Sequence, residues 1–461
     1  MALNPKTPGV YIEEVSLFPP SIAPVATAIP AFIGYTETSV SDPVRISSMA
    51  DYEATFGGPQ PYFELDGDPA TPPAVPANGT ATHQFTLYYA LQIYFANGGG
   101  PCYVASAGTY AATPAEADFG GTWNTGALGK ISLEDEPTLI VIPDIGTIAE
   151  DNAYNVYKAA LDQCARLQDR FVIIDVYGTV SDMRDKIGTQ YLKYGAAYYP
   201  RLQTTLSYSD AAVEFNPNSG TNPTGTNNEL AGKTLAEAVA AAETSSAVAD
   251  QLITVERATR NFVEAQTISL YPGAAIAGVF AATDRNRGVW KAPANVSLTG
   301  VVKPAVTITH EDQEDLNIPN DGQGKSVNAI RSFTGKGILV WGARTLAGND
   351  NEWRYVPVRR LFIFVEESIK KATEFVVFEP NDANTWLRVK TMIQNFLTNL
   401  WKDGALAGAT PDDAFFVNVG LNETMTPQDI LEGKLIIEIG MAAVRPAEFI
   451  ILKFSHKLQE S

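Results

Sequence analysis

The sequence predicts an α/β protein, with a larger middle α/β domain over 26–287, a smaller C-terminal α/β domain over 288–445, and extended segments at 1–25 and 446–461. Three observations predict it. Between Leu139 and Tyr199, short apolar runs alternate with amphipathic stretches, the order of a parallel sheet with helices on both faces. Near the end, Trp386, Val389, Ile393, Phe396, Leu397 and Leu400 recur at three- and four-residue steps, which puts them on one helix face between apolar runs. Prolines at 5, 8, 19, 20 and 24 exclude helix from the first 25 residues and favour extended chain.

Taken in order, Val10, Tyr11, Ile12 and Val15 belong to an alternating strand that has no hairpin partner nearby. Such a strand adds to an open edge, either of its own sheet or of another subunit's. A strand is expected at 31–37, then a strand and a short helix over 44–58, a helix over 85–96 stopped by Gly98-Gly99-Gly100, and a strand at 102–105. Strands at 139–143, 171–176 and 196–199 alternate with a helix over 152–167. Two stretches read as surface insertions: 59–82, rich in Pro, Gly and Ala, and 207–266, a polar loop followed by helices near 234–242 and 247–266. A small-residue helix follows over 272–287. In the C-terminal domain the apolar runs 361–365, 375–378 and 415–419 read as strands, with 435–439 and 449–454 making five. The helix before the third run is expected to be capped by Asn384 or Thr385 and stopped by a left-handed Gly404.

Composition narrows the function classes. The net charge is −19, and it is concentrated in front: residues 1–279 carry 13 Lys/Arg against 30 Asp/Glu, the remainder 20 against 22. A phosphate-backbone binder needs a basic face, so nucleic acid is not an expected partner. No run of 18 apolar residues points to membrane insertion. The opening MALNPKTPGVYIEE lacks the basic and apolar regions of a secretory leader, so folding in the cytosol is expected. Cys102 and Cys164 lack metal-ligand spacing and read as small buried hydrophobes.

Three enzyme signatures fail on their residues. Gly322-Gln323-Gly324-Lys325-Ser326 has the tail of a phosphate-binding loop, but Pro319 stands where its first glycine is needed. Gly335-Lys336-Gly337 would need a third glycine at Val340, and reads as a tight lead-in to a strand at 338–341. His83, His310 and His456 sit in no triad-like setting, and no ligand cluster suggests a metal. No catalytic residue, cofactor or metal is assigned.

Longer motifs carry a family resemblance. GILVWGARTLAG (337–348), WRYVPVRRLFIFVEESI (353–369), the NDANTW–LW–GAL region (381–406) and VRPAEFIILKF (444–454) resemble the C-terminal domain of contractile tail sheath proteins. TPGVYIEEV (7–15) is similar to that family's opening and GVWKAPAN (288–295) to its junction segment. The resemblance implies a subtilisin-like doubly wound middle domain, and arms that lend strands to neighbouring subunits. The arm residues it marks are Val10, Tyr11, Ile12, Val15, Phe449, Ile450, Ile451 and Leu452. It also implies hexameric rings stacked helically on an inner tube, with baseplate and tail terminator proteins as further partners. Assembly would take place in a bacterial cytoplasm, into a phage tail or phage-tail-like particle. Lys370 and Lys371, beside the matched motif, are the candidate inner-tube contacts. A non-contractile shell or surface-layer subunit, and a doubly wound enzyme, are the competing classes.

Overall fold

The computed structural model describes residues 22–65, 84–215, 229–319, 322 and 324–451. They fall into two units, one built on Ala26–Phe364 with residues 445–451, the other on Val365–Val444 with residues 22–25.

The larger unit is organised by a nine-stranded sheet. Its strands, in chain order, are β1 (Pro30–Thr36), β2 (Val44–Ile46), β3 (Cys102–Thr109), β4 (Leu139–Val141), β5 (Phe171–Asp175), β6 (Gly195–Tyr199), β7 (Val296–Ser297), β8 (Val327–Phe333) and β9 (Gly337–Trp341). Their spatial order is β7-β9-β8-β6-β5-β4-β1-β3-β2. The strands from β8 to β3 run parallel, and β2, β9 and β7 are antiparallel additions at the two edges. Every residue of β1, β4 and β5 is buried, which is why these strands read as unbroken apolar runs instead of alternating ones.

Helices Leu87–Ala96, Glu150–Leu167 and Gly273–Arg287 pack on this sheet. Gly278 lets the first and third approach closely: a Cβ there would stand 2.6 Å from the Tyr94 carbonyl oxygen. Cys102 and Cys164 are free and fully buried, and burial raises both thiols well above their ordinary pKa.

The two stretches expected as separate insertions meet. Phe63–Leu65 pairs in parallel with Val213–Phe215, and helices Leu235–Ala242 and Ser246–Ala265 cover the pair. Phe63, Val213, Phe215, Leu230, Leu235, Val248, Leu252 and Val263 form a second core there, so the insertions build one lobe.

In the smaller unit, helix Ala383–Lys402 turns Val389, Met392, Ile393, Phe396, Leu397 and Leu400 inward, the face that its spacing predicts. Gly404 follows with φ +83° as its left-handed stop. The cap is Asp382, whose carboxylate accepts from the Thr385 backbone N–H at 2.9 Å, so neither Asn384 nor Thr385 caps. Strand Phe415–Asn418 pairs antiparallel with Glu438–Met441.

Four expected strands are corrected. The run 361–365 lies in the middle of helix Val356–Thr373. Residues 375–378 make a 3-10 turn at Glu374–Val376 and an exposed tip, with Phe378 at φ +71°. The strand expected at 435–439 starts at Glu438, and residues 449–451 form no strand.

Candidate assembly surfaces

Where an α/β fold of this winding would place a ligand is fixed by topology. The strand order reverses about β1, between β3 and β4, and ligands of doubly wound folds bind at the carboxyl ends of strands flanking such a switch. In this chain that place is filled by Asp144. Its carboxylate accepts from the backbone N–H of Tyr35 at 2.8 Å, of Thr86 at 2.5 Å and of Leu87 at 3.1 Å, and from the Thr86 hydroxyl at 3.1 Å. It thereby occupies the N-terminus of helix Leu87–Ala96, the natural anion position. Burial pushes its pKa up to about 6, against the pull of these hydrogen bonds.

Asp175, at the end of β5, repeats the arrangement. Its Oδ1 accepts from the Gly273 N–H at 2.7 Å, at the start of helix Gly273–Arg287, while Oδ2 is buried without a hydrogen-bond partner. Burial pushes this carboxyl up to about 7, although Arg201 draws it down.

The glycine–lysine loop is also turned inward. Lys325 is buried, its ammonium donates to the Arg184 carbonyl, and the Ser326 hydroxyl donates to the Asn317 carbonyl at 2.7 Å. Gly322 and Gly324 take positive φ, as turn residues. His310 is exposed, whereas His83 and His456 lie outside the described residues. Among the described residues no group of His, Cys, Asp and Glu could hold a metal ion, and no helix is long and apolar enough to cross a membrane.

Features open to a partner lie in other places. The pair Phe415–Asn418 and Glu438–Met441 is a sheet of two strands among the described residues, with an open edge on each side. Unpaired N–H and C=O groups along an edge are a template for another strand. Phe449, Ile450 and Ile451 are 65%, 80% and 80% exposed, so the described residues of their own subunit leave them largely open. Of the other expected arm residues, Val10, Tyr11, Ile12, Val15 and Leu452 lie outside the described residues.

Lys370 and Lys371 stand in the last turn of helix Val356–Thr373, where positive charge complements the helix dipole. Both reach back to the buried Glu367, at 3.2 Å and 3.4 Å. The Lys370 side chain is 62% exposed and that of Lys371 36%, so one carboxylate serves two ammonium groups and Lys370 faces outward. Beyond them, Val377 and Phe378 are 63% and 103% exposed.

Comparison with known proteins gives these features a setting. The phage tail sheath central domain matches residues 132–346, and the phage tail sheath C-terminal domain matches residues 348–457. A chain of the anti-feeding prophage helical sheath in its contracted state is 34% identical, over 98% of this chain and 99% of that one, with a TM-score of 0.65. A chain of the contracted sheath complex of an extracellular contractile injection system (PVC) is 30% identical over 99% of both, with a TM-score of 0.64. The tail sheath protein of Vibrio phage KVP40 is 26% identical over 39% of this chain, a match that spans 25% of the phage protein. The chain belongs to the tail sheath protein family.

Proposed function

We propose that this chain is the sheath subunit of a contractile injection machine. It polymerises around an inner tube in an extended, metastable lattice, and contraction of that lattice drives the tube through a target envelope. The carrying observation is likeness along the whole chain to subunits of contracted sheaths, with open strand edges in the smaller unit and an uncovered apolar strip at 449–451.

The subunits stack as hexameric rings and exchange strands through residues 1–25 and 446–461. A docked strand gains about 0.5–1.5 kcal/mol per hydrogen bond. Ordering its backbone costs about 1–2 kcal/mol per residue. These terms nearly cancel, so burial of Phe449, Ile450 and Ile451, and of Val10 and Ile12 in the other arm, tips the balance at about 25 cal/mol per Å². A balance this close sets a critical concentration: below it single subunits stay in solution unless the baseplate and tube act as a template, and above it the isolated protein assembles. A tail terminator ends it. Firing uses energy stored at assembly, released as subunits rearrange into a lattice with more contacts. No reaction is assigned: Asp144 closes the switch-point crevice, and the glycine–lysine loop faces the core. Assembly takes place in the bacterial cytoplasm.

The test is negative-stain microscopy of the protein expressed alone, beside a variant lacking residues 1–25. Hollow helical tubes from the full chain, absent from the variant, are expected. Discrete particles from both would overturn the assignment of self-assembly.

A further inference from the structure

Residues 445–451 form no regular structure, yet one side chain among them is held by four groups. The Glu448 carboxylate accepts from Arg344 twice through Nε, at 2.9 Å and 3.2 Å, and once through Nη2 at 2.6 Å. The Asn317 amide donates to it at 2.8 Å and the Tyr355 hydroxyl at 3.1 Å. Arg344 is itself fixed. Its side chain is 4% exposed, its Nη1 donates to the Asn317 carbonyl at 3.2 Å, and its backbone N–H donates to Asn328 Oδ1 at 2.8 Å. A forked pair between a planar guanidinium and a carboxylate sets direction as well as distance. The next three residues are the exposed strip Phe449, Ile450 and Ile451.

We infer that the Arg344–Glu448 clamp is the root of the C-terminal arm, holding the chain on its own subunit so that Phe449–Ile451 is presented, already placed, to a second copy of this chain. The inference rests on the sheath reading and adds the residues that aim the arm. Without the clamp the nearest upstream anchor is Val444, whose N–H donates to the Ala405 carbonyl at 3.2 Å. Ile450 is two residues from Glu448 and six from Val444. Effective concentration of a tethered group falls as about the −3/2 power of tether length, so losing the clamp dilutes the strip at its target about fivefold. Glu448 is therefore a positioning residue, distinct from the apolar residues that make the contact.

Two readouts test it, on the full chain with Glu448→Gln and with Glu448→Asp, which keeps the charge but shortens the reach. Because Cys102 and Cys164 are buried with raised thiol pKa, a spin label can be placed selectively on Ala447→Cys, at an exposed position. In unassembled subunits with unchanged circular dichroism, the label's spectrum narrows in both variants relative to the Ala447→Cys parent. The critical concentration for tube formation rises about fivefold, the dilution expected of a longer tether. Equal label mobility in parent and variants overturns the clamp. A freed label with an unchanged critical concentration overturns its role in aiming the arm. Absence of tubes from the unsubstituted protein overturns the sheath reading instead, while the label still decides the clamp.

Discussion

Asp175 shows what one misplaced-looking charge does to the whole fold. It is fully buried, with one carboxylate oxygen on the Gly273 N–H and the other without a hydrogen-bond partner. Its folded pKa of about 7 lies above its ordinary value of 3.8, so between those values the folded protein binds more protons than the unfolded chain. The contribution of this group to stability is therefore greatest on the acid side, declines as pH rises from about 4 to about 7, and is level above. Each unit of separation is worth about 1.4 kcal/mol, which sets an upper bound of roughly 4 kcal/mol for this group. Asp144 acts in the same direction, but its window closes near its pKa of about 6. Asp175→Asn keeps an acceptor for the Gly273 N–H and removes the titration. The melting temperature of the natural protein should fall between pH 6 and 8, and that of Asp175→Asn should not. Parallel slopes would show that another group carries the effect.

At the scale of elements, helix Val356–Thr373 separates what is legible in the sequence from what is not. The parallel strands were legible because burial on both faces leaves them unbroken apolar runs, and Ala383–Lys402 because only one of its faces is buried. Val356–Thr373 is buried nearly all round: Val356, Leu361, Ile363, Phe364, Val365 and Ile369 are joined inside by Arg359 and Arg360. Within it Leu361–Val365 is a run of five consecutive apolar residues, and taken alone that run looks like a strand. Pro357 in the first turn and Lys370 and Lys371 in the last were the remaining helix signals. Arg360 is buried because Asp284 takes its guanidinium at 2.6 Å and 3.0 Å and Phe280 lies beneath it, partners far away in sequence that no local pattern reveals. Phe449, Ile450 and Ile451 were singled out by a family motif, since an exposed strip carries no packing pattern of its own. The same helix gives a prediction about the tube. Charge reversal at Lys370 should reduce co-assembly with an inner tube more than reversal at Lys371, because Lys370 is the more exposed of the two. Equal co-assembly by Lys370→Glu and the natural chain, measured by co-sedimentation, would remove this turn from the tube interface.

For the whole molecule, the charge asymmetry becomes an assembly property. Each subunit brings a net charge of −19, nearly all of it from residues 1–279, and a lattice of such subunits repels itself. The contacts assigned to the arms are of another kind: backbone hydrogen bonds and apolar burial, neither of which salt weakens appreciably. Ion pairs that are well buried, such as Arg360 with Asp284, resist screening too. Salt thus acts mainly on the repulsion. The Debye length shortens from about 30 Å at 0.01 M to about 8 Å at 0.15 M, which is enough to uncouple most charges on neighbouring subunits. Tube formation by the isolated protein should therefore rise with sodium chloride across that range, with sedimentable mass at fixed protein concentration as the measure. The arm-deleted variant should stay soluble throughout, because screening removes an obstacle without supplying a bond. A fall in tube mass with salt would mean that subunits are joined chiefly by exposed charge pairs across their faces, and the energetic role of residues 449–451 would pass to those pairs.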